Sequence, residues 1–184
     1  MKKLILLLVT ALTLGFTHTI QAQKFSGLDK SPADIAAFPS SYRISAKVVK
    51  VIYSRPQLKG RSLAQLAPSG KVWRTGANES VEITFYKDVT FGGTPISAGT
   101  YSLFTIPGDT EWTVIINRRL NQWGAYSYDE AADEARVTGT VSTGDESLEA
   151  FSIAFNDKGS DDDGQTAELV MGWGTTRVTV PISM

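Results

Sequence analysis

Residues 81–85 read Val-Glu-Ile-Thr-Phe, with an apolar side chain at every second position. That period of two belongs to a strand with one buried face, because successive side chains leave opposite sides of the chain. Alternating or short apolar runs return at 43–54, 100–106, 112–117, 135–141, 148–155, 167–173 and 177–182. Turn signals separate several of them, notably Gly92-Gly93, Ala98-Gly99 and Pro107-Gly108-Asp109. Short strands at about ten-residue spacing, with almost no helical period, predict an all-β antiparallel fold. A β-sandwich with jelly-roll-like connections is expected, and a closed β-barrel is the alternative. No repeat or linker divides the chain, so 43–184 reads as one sandwich domain behind an N-terminal arm, 23–42. Within the arm one helical turn is expected at 34–37. In 43–54 the alternation slips after Val48, which predicts a bulge. Ser62 is expected to cap a helical turn through Leu66, and 156–164 to form a Gly/Ser/Asp loop.

The head of the chain follows a different rule. Lys2 and Lys3 precede a nearly continuous apolar run over 4–16, and a more polar tail ends at Ala22. This is the pattern of an export signal peptide, with the cut expected between Ala22 and Gln23. The run is shorter than the roughly 20 residues that span a bilayer, so no membrane span is expected after the leader is removed. The destination is then periplasmic or secreted.

What the chain lacks narrows its chemistry. It has no cysteine, and its single histidine, His18, lies in the leader. Ser-His-Asp and Cys-His catalysis, histidine acid/base chemistry and the usual zinc sites are therefore unavailable to the mature protein. Carboxylate chemistry remains, since glycosidases need only two carboxyl groups. With 18 basic and 19 acidic residues the formal charge is −1, and loss of Lys2 and Lys3 makes it slightly more acidic. Nothing in that balance invites nucleic acid. No cofactor is expected.

The densest chemistry lies in residues 71–79, Lys-Val-Trp-Arg-Thr-Gly-Ala-Asn-Glu, between a Pro68-Ser69-Gly70 turn and the 81–85 strand. Arg74 and Glu79 would anchor a polar ligand through a guanidinium fork and a carboxylate, or else pair with each other and tie the loop to the sheet. Gly76 reads as a backbone requirement. Trp73, Trp112 and Trp123 offer apolar faces on which sugar rings stack, although Trp112, in register with Val114 and Ile116, reads as core. Asn78, Asn117, Asn121 and Gln122 supply donors and acceptors suited to polyhydroxyl ligands, or pin loop backbone instead. Asp157 with Asp161-Asp162-Asp163 would offer oxygen ligands to calcium, but without the spacing of the twelve-residue calcium loop it reads as a solvated acidic turn.

Residues 72–79, 98–107 and 121–126 resemble the domain of unknown function 2911 family, with support from Tyr53-Ser54-Arg55-Pro56 and 112–117. The resemblance runs over about residues 44–155 and is weaker over 156–184. It implies a secreted or periplasmic bacterial domain, and it brings no catalytic residues with it.

Two functions compete. One is an extracytoplasmic binding or interaction module for a small polar ligand, a glycan among the candidates, built on the 73–79 and 117–128 loops. The other is a carboxylate hydrolase using Glu79 with Asp129 or Glu130, Glu82 also being among the carboxylates that could pair; it needs the pair roughly 5–10 Å apart in one cavity. A structural envelope protein with no small-molecule ligand is the alternative to both. The balance leans away from an enzyme. Intact-mass measurement of the exported protein is expected to give a chain beginning at Gln23; a product retaining residues 1–22 would refute the leader.

Overall fold

Along the strands at 49–54, 81–85 and 111–116 every second side chain is buried, as the period of two requires. The computed structural model describes residues 23–161 and 164–184. The expected leader, 1–22, lies outside the described residues. The strands are β1 (Ala33–Phe38), β2 (Val49–Ser54), β3 (Val81–Phe85), β4 (Val89–Phe91), β5 (Thr94–Ile96), β6 (Gly99–Ile106), β7 (Glu111–Asn117), β8 (Asp133–Asp161) and β9 (Gly164–Ser183). One helical turn, α1 (Leu63–Leu66), and a 3-10 turn, Glu130–Ala132, complete the described elements. Gln65 Oε1 accepts from the Ser62 N–H at 2.9 Å and fixes the start of α1. Among the described residues no helix is long and apolar enough to cross a membrane.

All strands join one antiparallel sheet in the order β1-β2-β3-β6-β7-β8-β9-β4-β5. The sheet is not closed into a barrel; it bends back so that its two parts face each other. Tyr53 on β2 packs edge-on against Phe151 on β8 at 5.9 Å, although β3, β6 and β7 separate the two strands in the sheet. The bend lies where β8 and β9 lose register, between Thr143 and Ser152. Gly174, at φ +56°, carries the corner, and Arg177 staples it by donating to the carbonyls of Gly174 and Glu146. Burial changes phase there, from Leu169, Met171 and Trp173 to Val178, Val180 and Ile182.

Three expectations are corrected. Residues 34–37 are strand, not a helical turn: β1 pairs with β2 along its whole length, and Asp34 is held by Arg55 at 3.0 Å. The strand expected over 43–54 starts at Val49 and not at Arg43; at the slip Val48 N–H donates to the carbonyl of Phe38, the partner of Val49, and Val48 O accepts from Tyr86 N–H. Residues 156–161 are not loop, since Asn156, Asp157, Gly159 and Ser160 pair with β9. Polar composition there reflects two exposed faces of a long hairpin. Asp162 and Asp163 of the acidic turn lie outside the described residues.

Phe151 is 1% exposed and touches Tyr53, Trp73 and Trp173 between the layers. Phe151→Ala is expected to cost about 3–5 kcal/mol, read as a lower melting midpoint. A cost below about 1 kcal/mol would mean that the layers do not depend on this contact.

Candidate functional site

Trp73 begins the first loop by exchanging backbone hydrogen bonds with Thr105, at 2.7 and 2.9 Å. Its indole turns inward, stacks on Trp173 at 5.5 Å and meets Trp112 and Phe151 edge-on. From this anchor the backbone must climb out of the core in a few residues, and it does so through left-handed conformations at Thr75 (φ +57°) and Asn78 (φ +61°). A β-branched residue at positive φ is strained; Thr75 is fully buried and held by Thr105 Oγ1 at 3.1 Å. At Gly76 a Cβ would lie 3.0 Å from the Ser54 carbonyl, so the glycine is there for close approach. Arg74 does not pair with Glu79 among the described residues; its Nη1 donates to the Asn78 carbonyl at 2.9 Å and straps the loop.

The second loop, 118–132, lies across the outer face of β6 and β7. Phe104 and Ile115 point out of the sandwich, yet both are fully buried, with Tyr128 edge-on over Phe104 at 5.2 Å. This satellite core fixes the loop to the sheet. Asn117 is also fully buried: its Nδ2 donates to Asp129 O and Asp133 Oδ1, and its Oδ1 accepts from the Arg119 N–H. Tyr128 donates to Asp133 at 2.6 Å and accepts from Arg136. Burial first, then the bond to Asp133, pushes its hydroxyl up to about 12.

The loops meet through a short ladder. Glu79 and Trp123 form an antiparallel bridge, Ser80 N–H donates to Gln122 O at 2.8 Å, and Gly124 N–H donates to Asn78 O at 2.9 Å. Residues opposite each other in such a pair project to the same side, so the Glu79 and Trp123 side chains leave the bridge on one face. Trp123 is 62% exposed. Non-glycine residues at positive φ are, among the described residues, Lys59, Thr75, Asn78 and Asn121; all but Lys59 lie in these two loops.

Between the edge of the second loop and β1–β2 is a cleft of about 170 Å³, lined by Ile52, Ser54, Glu79, Glu82, Ser102 and Asn121 with Ala33, Tyr53 and Ser80. Its floor is a cross-strand row on the outer face, Ile52–Glu82–Ser102. Ser102 Oγ lies 3.2 Å from Ser80 Oγ and donates to Arg119 O at 2.7 Å. Neither Glu79 nor Glu82 makes a salt bridge among the described residues.

Of the residues singled out in the sequence, Glu79 and Asn121 line the cleft and Trp123 stands beside it. Trp73 is buried in the core and has no open face for stacking. Arg74, Asn117 and Gln122 hold backbone; Gln122 Nε2 donates to Arg119 O at 3.1 Å. Asn78 Nδ2 donates to Asp29 at 3.1 Å. Asp129 and Glu130 do not line the cleft and lie against Arg119 and Arg136, so the Glu79 pairing with either is not assembled. Among the described residues no three His, Cys, Asp or Glu side chains gather as a metal site. Sequence reasoning missed Ser54, Ser80 and Ser102; Glu82, named there only among carboxylates that could pair, shares the cleft with Glu79. Their outward register in β2, β3 and β6 was the available signal.

Because Tyr128 holds its proton more tightly folded than unfolded, its contribution to stability is complete below pH ~10 and is lost as pH rises toward about 12. Phenolate absorbance near pH 12 is expected to lose amplitude in Tyr128→Phe, over what Tyr53 and Tyr101, also shifted upward by burial, contribute. An amplitude unchanged in the variant would refute the assignment.

No curated protein and no solved structure matches the chain. The family described as protein of unknown function (DUF2911) matches residues 35–182, from β1 to the end of β9 and through both site loops. The chain belongs to that family.

Proposed function

We propose that the protein is an exported, non-catalytic binding module for a small hydroxyl-bearing ligand of the glycan class, held in the Glu79–Glu82 cleft against Trp123. The observation that carries this reading is the Glu79–Trp123 bridge, which joins an exposed indole to the wall of a polar cleft. An indole stacks on the apolar face of a sugar ring while carboxylates, hydroxyls and amides bond its rim. The cleft is smaller than the roughly 300–1,000 Å³ pockets of drug-sized ligands, which suits one ring or the end of a short chain. Strained backbone in both loops supports the same reading, because strain collects where positions are fixed for binding. Export rests on the 1–22 pattern alone.

Trp73, Trp112 and Trp173 are buried and Trp123 is exposed, so a ligand in the cleft is expected to perturb the emission of Trp123 over a constant contribution from the other three. Titration with short neutral and charged glycans is expected to change the emission in a saturable way. Trp123→Phe and Glu79→Ala should abolish that change, and as exposed sites each should cost less than about 0.5 kcal/mol of stability. Emission unaltered by the whole panel, or a change that survives in Trp123→Phe, would overturn the reading.

A further inference from the structure

We propose that the ligand of this cleft carries a positive charge: a hydroxyl-bearing amine in its ammonium form, with amino sugars as the type. The inference rests on the cleft being the binding site and adds the charge of its occupant. Glu79 and Glu82 both line the cleft, and no lysine or arginine does. Four cations of the flanking elements are engaged elsewhere. Arg55 is paired with Asp34, Arg119 with Asp129, Arg74 with the Asn78 carbonyl, and Lys50 lies over the Tyr86 ring at 5.8 Å. Neither of these two carboxylates makes a salt bridge among the described residues. They repel anions and leave acceptors open for N–H donors.

One further feature fits an ammonium. Trp123, bridged to Glu79 through the backbone, is 62% exposed, and a cation within about 6 Å of an indole ring is attracted by its quadrupole. Gln122 is 8% exposed, and its Oε1 is, among the described residues, the buried side-chain polar atom without a hydrogen-bond partner. Its Nε2 and the cleft hydroxyl Ser102 Oγ donate to the same Arg119 carbonyl. Gln122 is joined to the cleft hydroxyl through that shared carbonyl but does not itself line the cleft. Hydroxyls at Ser54, Ser80 and Ser102 would meet the uncharged rim of the ring.

The test uses one ring with four substituents: glucosamine, N-acetylglucosamine, glucose and glucuronate, titrated into the purified protein and followed by NMR shifts of Glu79, Glu82 and Trp123. Glucosamine is expected to bind about tenfold or more tighter than glucose or N-acetylglucosamine, and glucuronate weakest. Added salt should weaken glucosamine alone, and Glu82→Gln should erase its advantage without moving the melting temperature. Equal binding of glucose or N-acetylglucosamine would overturn the charge inference and leave the binding-site reading standing, as would preference for glucuronate. Absence of shifts at these residues with all four sugars would overturn both.

Discussion

Trp73 occupies the place where the two layers of the bent sheet and the first loop converge. It stacks on Trp173, meets Trp112 and Phe151 edge-on, and shares a backbone pair with Thr105. Each buried aromatic contact adds to area burial that already contributes about 1.5–3 kcal/mol for a large side chain. The position of the indole sets where the chain must leave the core. Thr75 and Asn78 accept left-handed backbone because the tryptophan below and the 81–85 strand beyond allow few other routes. The loop that presents Glu79 is thus a consequence of core packing.

The second dependence is on the outer face of the sheet. Sandwich strands normally show water a polar face, but β6 and β7 place Phe104, Ile115 and Asn117 there. Those side chains need a cover, and residues 118–132 supply it through Tyr128, Asp133 and Arg136. Where the cover ends, beside Asn121, the outer-face row Ile52–Glu82–Ser102 becomes the floor of a cleft. The site therefore arises at the boundary between covered and uncovered sheet. Its acidic character comes from Glu79 and Glu82 flanking the turn into β3, with nearby guanidinium groups engaged in strapping the two loops and β1.

The strands at 81–85, 99–106 and 111–117 and the Gly92-Gly93 hairpin were legible because alternation and turn chemistry are local. Residues 34–37 misled because Ala-rich sequence favours helix in isolation, whereas the β2 edge offers a ladder of hydrogen bonds. Residues 156–161 misled because a hairpin exposed on both faces has no hydrophobic alternation to read. Trp73 and Trp123 look alike as letters. One is 7% and the other 62% exposed, and only the packing of β8 and β9 against the loop separates them.

By itself the sequence determined the β class, the turns, the absence of cysteine and of any histidine but His18, and two loops rich in polar and aromatic groups. Each of these depends on residue type or on near neighbours. Tertiary structure decided that Trp73, Asn117 and Gln122 are interior supports. It also decided that Glu82 and three serines share a cleft with Glu79, and that Trp123 stands beside it. Those outcomes depend on register between strands distant in sequence and on where the sheet bends, quantities fixed by the summed burial of the whole core and not by any local pattern.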